Sequence, residues 1–524
     1  MRVIVTDALS NKGIERLRQE LEVDVELELD EDELCEKIKG YDALVVRSGT
    51  QVTEKVINAA DKLKVIGRAG VGVDNIDLAA ATRKGILVIN APEGNTIAAA
   101  EHTVAMILSL SRNIPEANYS LKKGKWERKK FMGVEVKGKV LGIIGLGRIG
   151  YEVAKRAKGM EMKVIGFDPY ITNEEAQKRG IDIVDFKTLI TTSDYITIHA
   201  PLTDKTRHLL GEEEFALMKE GVRIINCARG GIVDEEALFN AMQESKVAGA
   251  AIDVFEEEPP VGNKLLELDN VIVTPHLGAS TAEAQVNVAV DVAESIIQLL
   301  NNGSVKNAVN MSPISMEEWN YLRPFMNLAE KLGKFYAQFK NGRIYKVEMN
   351  YQGEITEHQT SLIMSSALKG ILNTILQEPV NIINASQVAR ERGIKVSESY
   401  SREIEDYSNL ITLRVYSDKN TGEVRGTIFS KKNARIVNID DFNIDLIPDG
   451  YILLAYHKDQ PGIIGKVSSL LGKNDVNIAA MQVGRKNIGG EALMALTVDE
   501  FVPETVLKEI TEIQGIKDIK FVTF

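Results

Sequence analysis

Residues Lys139–Tyr170 read KVLGIIGLGRIGYEVAKRAKGMEMKVIGFDPY. The apolar run Val140–Ile144 predicts a buried strand. Gly145-Leu146-Gly147-Arg148-Ile149-Gly150 follows as a G-x-G-x-x-G turn, and Val153, Ala154 and Ala157 then recur at helical spacing. A second apolar run, Lys163–Phe167, ends in Asp168. Strand, glycine turn, helix and strand within about 30 residues form the context a dinucleotide fingerprint requires. Gly145 permits the tight turn, Gly147 lets the backbone approach a pyrophosphate, and Gly150 allows helix and strand to pack closely. The helix start then offers free N–H groups to the phosphates.

Asp168 lies 18 residues past Gly150, at the end of the second strand. A carboxylate there accepts hydrogen bonds from both ribose hydroxyls and repels a 2′-phosphate. Pro169 and Tyr170 follow it, so no arginine stands ready to receive that phosphate. The expected cofactor is NAD rather than NADP.

The 524 residues are enough for three or four domains. A net charge of −12, with both signs spread along the chain, argues against a nucleic-acid surface. The two cysteines, Cys35 and Cys227, show no metal-ligand spacing and fit a reducing cytoplasm. No signal peptide is expected from MRVIVTDAL, and no apolar run reaches the length of a membrane span.

Upstream, residues 1 to about 95 alternate short apolar runs with helical patterns, which predicts a parallel sheet covered by helices. Arg47 (VVRSGT) and Arg68 (IGRAGVG) fall just past strand ends, where ligands of open parallel sheets bind. Each is read as a surface ion pair or as a fork for a carboxylate or phosphate; Gly70 and Gly72 beside Arg68 favour the latter. The segment around Ala91–Gly94 is a crossing between domains, followed by a long helix from Thr96 to Arg112. Helix Thr281–Leu300 is expected to return the chain to the first unit. Four regions result: 1–95 with 282–310, 96–281, 313–449, and 450–524. The third mixes helices and strands without a catalytic constellation. Its Lys431, Lys432 and Arg435 form a small basic cluster, read as a solvated loop or, as the alternative, an effector anion site. The fourth runs strand, helix, strand, strand, helix, strand, a ferredoxin-like order.

Three polar residues follow strands of the nucleotide unit: Arg229 (INCARGG), Glu258 (DVFEEEPP) and His276 (VTPHLGAS). Oxidising a 2-hydroxy acid requires a group to take the hydroxyl proton and a cation to hold the carboxylate. Histidine suits the first task and arginine the second; a carboxylate beside the histidine would stabilise its imidazolium. A histidine at a strand end is equally a packing or capping residue, so spacing alone leaves this open. Asp253 is placed within reach of a nicotinamide carboxamide. His102, His199, His208 and His358 have no comparable company and default to structure.

IGLGRIG, INCARGGIVDEEAL, DVFEEEPP and TPHLGAST together resemble the D-isomer-specific 2-hydroxyacid dehydrogenase family. VVRSGTQVT, GRAGVGVDNIDL and GKWERKKFMG are similar to the phosphoglycerate-oxidising branch. HKDQPGIIG and DVNIAAMQVGR are similar to a C-terminal ACT domain. The resemblance implies an α/β chain of two doubly wound parallel-sheet domains, one for substrate and one of Rossmann type for NAD, then an α+β intervening domain and the ACT domain. It implies Arg229 as substrate anchor, Glu258 as the partner of His276, and His276 as acid/base. Around NAD it implies Gly145, Gly147, Arg148, Ile149, Gly150, Asp168, Ala200, Cys227, Ala228, Arg229, Asp253, His276, Leu277, Gly278 and Ala279. Around 3-phosphoglycerate it implies Arg47, Arg68, Gly70 and Asn95, with Arg128 or Lys129 reaching a neighbouring subunit of a tetramer.

The resemblance also implies feedback by L-serine. Asp459 would accept its ammonium, and Asn477 and a helix start would hold its carboxylate. His457 stands where many relatives carry asparagine, and Val71 where some carry threonine. Two other readings stay open: a glyoxylate or hydroxypyruvate reductase, which leaves Arg47 and Arg128 little to do, and an NAD sensor, which has no use for an acid/base pair.

Overall fold

The computed structural model describes residues 1–303, 307–312, 314–339, 342–403, 406–430 and 433–524. Pro313, at the expected start of the third region, and Lys431 and Lys432 lie outside them.

The first sheet contains β1 (Arg2–Val5), β2 (Glu22–Val25), β3 (Ala43–Val46), β4 (Val65–Arg68) and β5 (Leu87–Asn90), all parallel, in the order β2-β1-β3-β4-β5. Its central strands are apolar on both faces because helices cover both. One cover is the helix Ala282–Asn302, whose Val288, Val292 and Ile296 pack with Val3, Val5 and Val65. Beyond it, Ala308 bridges to Ile89 and the Val309 N–H donates to Val88 O. The chain therefore returns to its first sheet.

The second sheet contains β6 (Val140–Ile144), β7 (Lys163–Phe167), β8 (Asp182–Ile183), β9 (Tyr195–Ile198), β10 (Val222–Asn226), β11 (Val247–Ile252) and β12 (Val271–Val273). All are parallel, in the order β12-β11-β10-β9-β6-β7-β8. Strand order reverses between β6 and β9, and between β1 and β3 in the first sheet. Such switch points open a crevice at the carboxyl ends of the strands. The Gly145 turn and Arg47 both sit at one. Helix Thr96–Arg112 crosses from the first unit and packs Ala100, Ile107 and Leu110 on Leu141, Ile143 and Ile225.

The third sheet is mixed: β13 (Ile344–Gly353), β14 (Lys395–Ser401), β15 (Asn409–Ser417), β16 (Thr421–Phe429), β17 (Asn433–Ile439) and β18 (Phe442–Leu446), in the order β14-β13-β15-β16-β17-β18. Only the β13–β14 pairing is parallel. Helices Met316–Phe339 and Ser361–Ile375 pack against each other and fill its core.

The fourth sheet is antiparallel, with β19 (Tyr451–Lys458), β20 (Ile478–Arg485), β21 (Glu491–Val498) and β22 (Ile516–Thr523) in the order β20-β21-β19-β22. Leu453, Ala455, Met494 and Leu496 face its own helices, Ile463–Lys473 and Glu504–Thr511. The alternate residues Ile452, Leu454, Leu493 and Ala495 join the core of the third region. That two-sided burial explains the unbroken apolar runs of β19 and β21. The last two regions share one core.

Candidate active site

The glycine turn has the expected geometry. Gly145 has φ +92°, and a Cβ on Gly150 would lie 2.1 Å from Gly145 O. A Cβ on Gly147 would meet nothing within 4 Å, so that backbone faces open space. Gly147 caps the helix Arg148–Gly159 without a side chain, leaving the first N–H groups for an anion. Asp168 accepts hydrogen bonds from the Leu146 and Tyr170 N–H groups, each at 2.9 Å, which fixes its carboxylate beside the turn. The backbone of His199 and Ala200, just past the end of β9, lies against Gly145. Arg148 pairs with Glu93 of the crossing segment at 3.3 Å. A backbone cradle with a fixed carboxylate at its edge fits a dinucleotide carrying free ribose hydroxyls.

β10, β11 and β12 are neighbours, so the loops that follow them meet. Asn226, buried at the end of β10, shapes the first: its Oδ1 accepts from Ala228 N at 3.1 Å and its Nδ2 donates to Arg229 O at 2.9 Å. The Arg229 guanidinium then reaches the first unit, and its Nε donates to Asp74 Oδ2 at 3.1 Å. A Cβ on Gly72 would lie 2.0 Å from Arg229 Nη2, so a side chain there would displace the guanidinium from this position. Burial, then the charges of Arg229 and Arg47, push the Arg68 guanidinium below its ordinary value. Arg47, Arg68 and Arg229 thus form one cationic cluster between the sheets. Asp7 holds Arg47 in place by accepting from the Arg47 and Thr50 N–H groups and from the Thr50 hydroxyl. Arg68 Nε and Asn95 Oδ1 are buried without a hydrogen-bond partner among the described residues. Gly70 leaves no room for a side chain beside Arg68 Nη1.

His276 Nδ1 and Glu258 Oε2 are 2.8 Å apart, and Glu258 Oε1 accepts from Phe255 N at 3.1 Å. With Nδ1 engaged, Nε2 is the nitrogen left for substrate. His276 has φ +55°, a left-handed conformation costing a non-glycine residue about 1–2 kcal/mol. Asp253 holds the loop that imposes it. Its carboxylate is buried and accepts from Leu277 N at 2.7 Å, Gly278 N at 2.8 Å and the Thr274 hydroxyl, while its carbonyl accepts from His276 N at 2.9 Å. Both carboxylate oxygens are thus engaged within the chain. Burial raises the Asp253 pKa, but His102, Thr274 and Leu277 N outweigh it and leave it below the ordinary value. Burial pushes the Cys227 thiol up to about 12, so it stays protonated.

Three of the four histidines set aside in the sequence do have carboxylate company. His102 lies 3.3 Å from Asp253, His208 3.0 Å from Glu256, and His358 2.8 Å from Glu318. These partners are 151, 48 and 40 residues away in the chain, beyond any local reading. A histidine–carboxylate pair is therefore not distinctive here, and it is position that sets His276 apart. Sequence reasoning also missed Asp74, Thr274 and Asn226; the last two stand in the same short stretches as His276 and Arg229. Arg128 lies in an exposed turn and joins no pairing with Arg47 or Arg68 among the described residues.

One expectation fails in the fourth region. Asp459 accepts from Gly489 N at 3.0 Å, whereas Asn477 Nδ2 donates to Asp499 at 2.6 Å. Lys458 pairs with Glu491 and Ile478 with Val498, seven residues apart on β21. At ~3.4 Å per residue the two ends are about 24 Å apart. Asn477 does not face the Asp459 loop of its own chain. β19 and β20 run parallel through their crossover helix, so the start of one lies far from the end of the other. His457, at the Asp459 end, is buried; its Nδ1 meets Lys458 O and its Nε2 has no hydrogen-bond partner among the described residues.

Residues 104–278 match the D-isomer specific 2-hydroxyacid dehydrogenase NAD binding domain, 321–440 the D-3-phosphoglycerate dehydrogenase intervening domain, and 451–515 the ACT domain. The chain is 49% identical over 520 residues to a D-3-phosphoglycerate dehydrogenase of Methanocaldococcus jannaschii, covering 99% of both chains. It is 45% identical to that of Bacillus subtilis, again over 99% of both. This chain belongs to the D-3-phosphoglycerate dehydrogenase family. Its first two units also resemble a D-lactate dehydrogenase of Aquifex aeolicus complexed with NAD and lactic acid, at TM-score 0.53 and 29% identity, over 59% of this chain and 99% of that one. It is an NAD-dependent 2-hydroxyacid dehydrogenase.

Proposed function

We propose that the chain oxidises 3-phospho-D-glycerate to 3-phosphooxypyruvate with NAD, the step that opens L-serine synthesis by the phosphorylated route. The observation that carries this is the whole-length identity to curated D-3-phosphoglycerate dehydrogenases. NAD, when bound, accepts the hydride from C2. The Gly145–Gly150 turn and Asp168 hold the dinucleotide. Arg229 and Arg68 hold the substrate carboxylate, and Arg47 its phosphate. His276 Nε2 takes the C2 hydroxyl proton, and Glu258 stabilises the imidazolium through Nδ1. Arg128 serves the phosphate of a neighbouring subunit in a homo-oligomer, a reading supported by the exposure of Trp126 and Met132 on the same turn.

The test is steady-state turnover of 3-phospho-D-glycerate and D-glycerate with NAD, and of glyoxylate with NADH. The phosphorylated acid is expected to give the highest kcat/KM. Preference for either unphosphorylated substrate favours a reductase, and no turnover at all favours a sensor.

Feedback by L-serine is the accompanying reading, supported by the ACT match and by the fixed Asp459 carboxylate. Wild type is expected to lose activity at millimolar L-serine and Asp459→Ala to resist. Truncation before Gly450 is a poor test, because it would expose the core shared with the third region. A wild type indifferent to serine ends this reading.

A further inference from the structure

The acid/base histidine is held in a strained conformation, and strain of this kind persists only where surrounding contacts over-determine it. Those contacts converge on Asp253, and one side chain behind Asp253 has no part in the chemistry described above. His102, on helix Thr96–Arg112, points Nε2 at Thr274 Oγ1, 3.2 Å away, and at Asp253 Oδ1, 3.3 Å away. The Thr274 hydroxyl hydrogen is already given to Asp253 Oδ1. Both atoms facing His102 Nε2 can therefore only accept, and His102 must carry a hydrogen on Nε2. Among the described residues, His102 is the basic side chain in contact with this buried carboxylate. Asp253 in turn holds the N–H groups of Leu277 and Gly278 and, through its carbonyl, that of His276.

We propose that His102 is a positioning residue for the reaction: its Nε2–H fixes the Asp253 carboxylate, which fixes the left-handed turn that aims His276. The helix bearing His102 begins at Asn95, whose buried Oδ1 lies among the residues assigned to substrate. The element that crosses between the two units thus also sets the acid/base loop. This rests on His276 being the proton acceptor.

The experiment compares wild type, His102→Leu, which has no donor, and His102→Gln, which keeps an N–H donor at similar reach. Turnover of 3-phospho-D-glycerate with NAD is measured beside amide hydrogen exchange of residues 276–279 and Tm in the cofactor-free protein. The leucine variant is expected to lose at least tenfold in kcat with KM within about threefold, and to lose exchange protection in that segment with Tm nearly unchanged. The glutamine variant is expected to recover most of both. Adding Thr274→Val to His102→Leu should cost less than the sum of the single changes, because both act on one carboxylate. A leucine variant with wild-type kcat and protection overturns the proposal, as does a glutamine variant no better than leucine, or a loss shared equally by kcat, KM and Tm. Failure of wild type to turn over substrate would instead overturn the functional reading, since the exchange comparison needs no turnover.

Discussion

The Nε of Arg229 donates to Asp74 Oδ2 at 3.1 Å, joining two residues 155 positions apart and two sheets built from different parts of the chain. Asp74 is 74% exposed and Arg229 28%, so the contact lies at the rim of the crevice. An exposed pair of this kind contributes at most about 1 kcal/mol to stability. Its use is to orient the guanidinium. Asp74→Ala is expected to raise KM for the 2-hydroxy acid about threefold to tenfold and to leave KM for NAD unchanged. An unchanged substrate KM would show that Arg229 is oriented without it.

Asp168 is fixed by two backbone N–H groups before any cofactor arrives. Its charge is thus placed at low entropic cost, against a 2′-phosphate and in favour of free hydroxyls. Asp168→Ala is expected to narrow the preference for NAD over NADP by tenfold or more in kcat/KM. Equal use of both cofactors by wild type would contradict the assignment.

Arg47 sits at the switch point of the first sheet, held by Asp7. A charge-assisted contact kept in both ground and transition states shows mainly in KM. Arg47→Ala is expected to raise KM for 3-phospho-D-glycerate tenfold or more and to change that for D-glycerate much less. Equal losses on both would point to a structural role.

Burial lowers the His199 imidazole from 6.5 to about 4. The unfolded chain takes up a proton near pH 6.5 that the folded chain refuses until about pH 4. The stability contribution is therefore complete above pH 6.5, declines as pH falls, and stops declining below about 4. The loss is at most ~3 kcal/mol. His199→Gln should show a smaller drop in Tm between pH 7 and pH 4.5 than wild type. Parallel pH profiles would mean that His199 titrates normally in the folded chain.

The nucleotide unit was legible because its signals are local. Val140–Ile144 and Lys163–Phe167 are observed as strands with the bounds read from the sequence. Arg229, Glu258 and His276 were legible as candidates because each follows an apolar run within a short stretch. Their anchors were not: His102, Asp74 and Asp253 meet their partners only through tertiary contact. β14 is not legible in the sequence, because KVSESYS is an edge strand with little burial and has no apolar face to alternate. Asn477 and Asp459 lie at opposite ends of the fourth sheet because β19 and β20 are both antiparallel to β21, a consequence of strand direction that element order alone does not display.

The central claim is that His276, held by Glu258 at 2.8 Å, is the group that takes the substrate proton. The most direct measurement is kcat of His276→Asn on 3-phospho-D-glycerate, with NAD affinity determined in parallel by fluorescence titration. The account predicts a fall in kcat of ~10²–10⁴ with NAD affinity within about threefold of wild type. A variant with near-normal kcat would contradict it.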